Sequence, residues 1–234
     1  MAKKIKNEEY ATEEIVEKLD RTAFNVENFL EKNSKILGIV IGVVVVAALG
    51  YFAYLKLVVE PKSDQALQEM VTAERLFDQD SIAQALNGSS GSYMGLQQIV
   101  DEYGNTDAGN LAKFKAGASY YKLGDYTTAI KMFEDFSTND PVLLAQKYGM
   151  IGNCLVQSGK LEEGLPYYVK AAEASKVVTI EQTYYTKAGN IAFSLGKNED
   201  ALKYFQAIAD KYPGANNSEA EKFIERLKYA AGQE

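Results

Sequence analysis

Apolar and polar positions are distributed unevenly along the chain. From Ile36 to Leu55 it reads ILGIVIGVVVVAALGYFAYL, a run without a charge, bracketed by Lys35 and Lys56. A helix needs about 20 apolar residues to cross the hydrocarbon core of a bilayer. Tyr51, Phe52 and Tyr54 fall where an interfacial aromatic belt would lie. The run predicts one transmembrane helix over 36–55. A cleaved signal peptide fits less well, because its apolar stretch is about 7–15 residues behind a short positive segment. Here the run is preceded by residues 1–35, mixed in charge and rich in Glu. Gly38 and Gly42 form GxxxG, with Gly50 on the same ribbon. Small residues so placed let a second helix approach, so self-association as a homodimer stays open.

Residues 1–35 read as a charged tail. Ile15, Val16, Leu19, Phe24, Val26, Phe29 and Leu30 recur at rough helical spacing. They predict one or two short amphipathic helices over 12–32. Glu13, Glu14, Glu17, Asp20, Glu27 and Glu31 oppose anionic lipid, which favours a solvated lead-in over a surface-bound helix. Lys3, Lys4, Lys6, Lys18, Arg21, Lys32 and Lys35 precede the run, while Lys56, Lys62 and Arg75 follow it. That excess places the N-terminus on the cytoplasmic side.

Beyond the span the pattern becomes periodic. YYKLGDYTTAIKMFEDFSTNDP returns as AFSLGKNEDALKYFQAIADKYP, with LVQSGKLEEGLPYYVKAAEASK between them. Aligned on Gly124, Gly159 and Gly196, the units repeat after 35 and 37 residues. Each has a glycine after an apolar residue in its first helix: Ala116-Gly117, Ile151-Gly152 and Ala188-Gly189. Tyr120, Leu155 and Ala192 follow these pairs. Each second helix has a small residue four positions before an aromatic: Ala129 and Phe133, Gly164 and Tyr168, Ala201 and Phe205. The glycines of the first helices are expected to admit the paired helix. The aromatics are expected to fill the joints between repeats. Pro141 and Pro213 are expected to end the second helix, and the three turn glycines suit a left-handed turn.

This pattern resembles the tetratricopeptide-repeat family, whose period is about 34 residues. The likeness covers roughly residues 107–214. No unit has the family's tryptophan, and the second lacks a closing proline. The resemblance implies an all-α fold: an N-terminal transmembrane helix, then a helical solenoid over 61–234. Repeats fall at about 110–143, 145–178 and 182–215. Upstream, Pro61–Asp78 and Tyr93–Tyr103 read as helices around the NGSSGS loop at Asn87–Ser92, together an irregular first repeat over 61–106. In the first of these, Leu67, Met70, Val71, Ala73, Leu76 and Phe77 form the expected apolar side. Residues 218–231, with Phe223, Ile224, Leu227, Tyr229 and Ala230, read as the capping helix that a solenoid needs.

The resemblance also implies where a partner would bind. First-helix positions one turn apart line the groove in this family. On this chain they are Phe114, Ala118 and Tyr121, then Asn153 and Val156, then Thr186, Asn190 and Phe193. Amides hold a peptide backbone through donor and acceptor, and aromatics anchor interfaces. Some family members clamp a C-terminal carboxylate with groove lysines. Phe114, Gly149 and Thr186 stand at those positions, so that mode is not expected.

Composition removes most chemistry. The 234 residues carry a net charge of −7 and no histidine, so the commonest general base and metal ligand are both missing. Cys154 is the one cysteine and is expected to be a small buried residue. No phosphate loop follows the glycine–serine segment. No basic cluster suggests nucleic acid. An enzyme, a cofactor and a metal are therefore not expected. Tail, span and repeats together are similar in architecture to the ancillary subunit of the bacterial Sec translocon. That likeness implies an inner-membrane scaffold with its repeats in the periplasm. Translocon subunits, periplasmic chaperones or exported chains would be its partners. An adaptor in envelope biogenesis or cell division shares every feature named, and a regulator acting through the cytoplasmic tail is a further alternative.

Overall fold

The computed structural model describes residues 30, 32–212 and 218–230. Most of the lead-in expected over 12–32, and Pro213, lie outside them. Two compact units are present, Met1–Val58 and Val59–Glu234. The first contains helix α1 (32–54). Apart from half-buried Leu37, its large apolar side chains are exposed, for example Ile39 at 68% and Val46 at 69%. The helical stretch Lys32–Asp78 holds a segment long and apolar enough to cross a membrane by length and composition. A Cβ added at Gly38, Gly42 or Gly50 meets nothing within 4 Å. A single π-helical turn follows at Leu55–Val59.

The second unit is helical, with one antiparallel bridge between Ser89 and Tyr93 among the described residues. Its helices are α2 (Glu60–Asp78), α3 (Ile82–Asn87), α4 (Leu96–Tyr103), α5 (Asp107–Lys122) and α6 (Tyr126–Asp135). Then come α7 (Pro141–Gln157), α8 (Leu161–Ala174), α9 (Val178–Ser194), α10 (Asn198–Lys211) and α11 (Ser218–Ala230). The pairs α5–α6, α7–α8 and α9–α10 are antiparallel hairpins. Each first helix ends in the same hydrogen-bonded turn. Gly124, Gly159 and Gly196 take φ of 81°, 78° and 72°, and the next amide donates to a carbonyl five residues back. Only a residue without a Cβ enters that region cheaply.

Inside each hairpin an aromatic ring from the second helix sits on the glycine of the first. A Cβ at Gly117 would lie 2.9 Å from the Phe133 ring. At Gly152 the distance to Tyr168 is 2.9 Å, and at Gly189 it is 2.6 Å to Phe205. The glycines thus seat a side chain rather than a neighbouring backbone. The aromatics lock their own hairpin and extend from there into the next. Phe133 is fully buried and clusters with Ile151, Cys154 and Leu155 of α7. Gly164 continues the arrangement, since a Cβ there would press on Val156 at 2.8 Å.

Several local expectations change. Pro141 does not end a helix; it opens α7 at its first turn, where a missing N–H costs nothing. What ends α6 is the extended backbone of Phe136, with Lys147 Nζ donating to the carbonyls of Glu134 (3.0 Å) and Phe136 (2.6 Å). Asp140 caps α7 by accepting from the amides of Val142 (2.8 Å) and Leu143 (2.9 Å). Helix α4 begins at Leu96, not Tyr93. The Ser89–Tyr93 bridge holds that segment in a turn, and Gly95 packs against the backbone of Leu86 and Gly88. Leu67 and Val71 are exposed, because the buried face of α2 runs through Ala66, Met70 and Ala73. Helix α11 covers α10 with Ala220 and Leu227, and Phe223 stacks on Phe205 at 4.7 Å, while Tyr229 points to solvent at 83% exposure. Buried Glu181 at the start of α9 accepts from Lys211 Nζ (2.6 Å) and from the Tyr212 hydroxyl, tying the two ends of the last hairpin together.

The ring-on-glycine contact predicts the stability of the array. Phe205→Ala should cost about 3–5 kcal/mol in urea unfolding followed by helicity. A loss below about 1 kcal/mol would show that α11 and its Phe223 carry the joint instead.

Candidate protein-binding groove

The first helices of successive hairpins touch each other, α5 with α7 and α7 with α9, and α2 touches α5. Among the described residues the second helices α6, α8 and α10 make no comparable contact with one another. The stack therefore bends with its first helices on the inner side. All eight groove candidates lie on those helices, and all eight are half-buried.

They are not equally available. Phe114 packs against Phe133 (ring centroids 5.3 Å apart) and Phe136 (5.2 Å). Tyr121 lies 5.6 Å from the Tyr126 ring. Phe193 sits between Phe223 at 5.7 Å and the Arg226 guanidinium at 4.9 Å, so the cap helix covers part of it. Val156 packs in the cluster shared by α8, α9 and α10. Asn153 was expected to offer its amide to a peptide. Its Oδ1 instead accepts from the Tyr168 hydroxyl and from Lys187 Nζ, both at 2.9 Å, and its Nδ2 faces Met150 Sδ at 3.6 Å. The side chains of Thr186 and Asn190 make no hydrogen bond among the described residues. Asn190 is therefore the open amide of the groove, and Ala118 holds the equivalent position on α5.

Two residues that sequence reasoning missed complete this surface. Lys187 lies 5.4 Å from the Tyr168 ring centroid and 5.7 Å from that of Tyr184, as well as bonding Asn153. Burial lowers its pKa from the ordinary lysine value. Tyr184 reaches across to α7 and occupies the notch at Gly149, where a Cβ would come within 2.1 Å of its hydroxyl. Gly149 is thus a seat for the next hairpin's ring. The same reach recurs at the start of the array. Lys115 stands in α5 where Lys187 stands in α9, counted back from the turn glycine, and it bonds Glu74 of α2 at 3.1 Å. Glu74 is the α2 counterpart of Asn153. A lysine from one first helix thus grips a polar side chain on the preceding first helix, twice. At the middle step the equivalent positions hold Met150 and Ala118, which pack against the same apolar cluster.

Helix α2 fits the series in another way. It closes with the same turn: Ser81 N–H donates to the Leu76 carbonyl (2.9 Å), with Asp80 at φ 59° in the glycine's place. Lys122 holds Asp80 at 2.9 Å and lies 4.8 Å over the Phe77 ring. Phe77 is the α2 counterpart of Tyr121 and Phe193. The inner face therefore runs over four first helices, α2, α5, α7 and α9. Cys154 is buried, its thiol pushed up to about 12 by loss of solvent, and inert at neutral pH. Among the described residues no three metal-ligating side chains converge.

Comparison with known families agrees with this geometry. Models described as tetratricopeptide repeat match residues 111–141 and 185–215, and a second model of the same description matches 145–177. These three segments are tetratricopeptide repeats. No curated protein matches the chain. Among solved structures it is similar to MamA protein, with 16% identity over 72% of this chain and 83% of that one, TM-score 0.52. It is also similar to YrrB, described as a TPR protein with an unusual peptide-binding site. There the identity is 21% over 77% of this chain and 84% of that one, TM-score 0.51. At these identities the likeness is one of fold.

Burial of the Tyr168 phenol, with smaller contributions from Tyr121, Tyr184 and Cys154, pushes its pKa up to about 12 from 10.0. In the unfolded chain it ionises first, so between these values the folded state holds the extra proton. Stability should be level at neutral pH and fall as pH rises from about 10 towards 12. Urea midpoints across that range check this, and Tyr168→Phe should flatten the fall.

Proposed function

We propose that the protein is a membrane-anchored scaffold that binds other proteins along the inner face of its repeats. The observation that carries the binding part is the run of half-buried aromatic and amide side chains on the first helices of three tetratricopeptide repeats. YrrB, which shares the fold, is a TPR protein with a peptide-binding site. The mechanism is binding alone, with no covalent step. The anchor is read from the uncharged run 36–55, bracketed by lysines and exposed except at half-buried Leu37 and Leu55. Confinement to a membrane raises the effective concentration of the repeats near membrane partners.

The finer reading follows from charge and architecture. The lysine excess ahead of the run supports a cytoplasmic N-terminus, with the repeats in the periplasm of a bacterial inner membrane. The likeness of this layout to the ancillary Sec translocon subunit directs the proposal to protein export, with translocon subunits, chaperones or exported chains as partners. The GxxxG ribbon of Gly38, Gly42 and Gly50 faces open space and is proposed as the contact with a second membrane helix.

The test is photocrosslinking in living cells, with a photoreactive residue at Tyr121 and, separately, at Val44. Translocon proteins trapped at position 44, with chaperones or exported chains at 121, are the expected result. Gly42→Leu should weaken the contact at 44. Division or envelope-assembly proteins at both positions would replace the export reading with the adaptor reading. Absence of any protein adduct at 121 would overturn the scaffold itself.

A further inference from the structure

At the start of the inner face, α2, α4, α5 and α7 enclose a cavity of about 330 Å³. Its walls are Phe77, Leu96, Leu111, Phe114, Ala118 and Leu143. Phe77, Phe114 and Ala118 are ladder positions of the groove, so this is where the groove ends. It is not a featureless apolar dip, because charge is set unequally around its mouth. Glu74 is matched by Lys115, and nearby Asp80 is matched by Lys122. Asp78 also lines the cavity and makes no ion pair among the described residues. It is, moreover, the last residue of α2, where the carbonyl end of the helix already presents negative potential. One side of the apolar hole therefore carries an exposed carboxylate that forms no ion pair among the described residues, and a cation on a partner would complement it.

We propose that this cavity is a specificity pocket for one apolar side chain flanked by lysine or arginine in the bound partner. The ring or branched side chain enters between Phe77 and Phe114, and the neighbouring ammonium or guanidinium meets the Asp78 carboxylate. The inference rests on the scaffold reading and narrows it to a partner segment that is both apolar and basic. Aromatic walls supply the anchor, and the charge sets direction and selects against acidic segments.

The experiment uses the full-length protein in lipid nanodiscs and three fluorescein-labelled peptides: GSKFKSG, GSEFESG and GSKAKSG. Anisotropy titrations are expected to show binding of GSKFKSG, with GSKAKSG roughly tenfold weaker or more for loss of the buried ring. GSEFESG should not bind. Asp78→Lys should weaken GSKFKSG roughly fivefold, and Ala118→Leu, which fills the floor, should abolish binding while Tyr229→Ser, on the exposed side of α11, leaves it unchanged. Equal binding of GSKFKSG and GSEFESG would overturn the charge assignment. Binding that responds to Asn190→Ala and ignores Asp78→Lys and Ala118→Leu would move the site to the centre of the groove. No binding of GSKFKSG to the unaltered protein would overturn the pocket. If position 121 still captured proteins in cells, the scaffold reading would stand without it.

Discussion

Each hairpin of the array is held by an aromatic ring pressed onto a glycine. Phe133 on Gly117, Tyr168 on Gly152 and Phe205 on Gly189 bring two helices together where any Cβ would lie within 3 Å of the ring. The contact matters because a solenoid has no single core. Each hairpin buries its apolar side only against its neighbours, so stability accumulates from local joints and the interfaces between them. The rings serve both. Phe133 reaches Ile151 and Cys154 of the next hairpin, and Phe205 receives Phe223 of the cap. Remove the ring and a hairpin loses its internal lock and its neighbour together.

With hairpins fixed, the geometry of the inner face follows. First helices touch, and among the described residues second helices make no comparable contact, so positions one turn apart along α5, α7 and α9 share one surface. Lysines then bridge from helix to preceding helix: Lys187 to Asn153 and Lys115 to Glu74. These bridges have a functional consequence. They occupy polar groups that a partner would otherwise use, and leave Asn190, Thr186 and the cavity beside Asp78 as the open points. Specificity in such a groove comes as much from what is already satisfied inside the protein as from what faces out.

The chain also shows how a repeat array is started without a regular repeat. Helix α2 borrows the turn, using Asp80 held by Lys122 in place of glycine. It borrows the ladder positions too, with Glu74 and Phe77. Its second helix is shortened to α3, and α4 is reached through the Ser89–Tyr93 bridge. The irregular part thereby presents a regular inner face to α5, and the groove gains a closed end that the three matched repeats alone do not possess.

The sequence by itself determined the apolar run at 36–55, the three repeats and their left-handed turns. Those features are local: a charge-free run, a fixed period, and glycine where φ must be positive. Cys154 as a small buried residue was legible too, because it falls inside the first helix of the second repeat. Tertiary structure alone decided which groove residues are available. Asn153 looked open in sequence and is engaged, because Tyr168 and Lys187 arrive from two other helices. Lys187 was overlooked because its role depends on the rings of Tyr168 and Tyr184 and on the absence of a side chain at Gly149. Pro141 was misread because proline stops one helix or starts the next with equal ease, and the caps at Asp140 and Lys147 settle which. Local backbone preference is written in neighbouring residues, whereas the state of a polar side chain is set by whatever the fold brings against it.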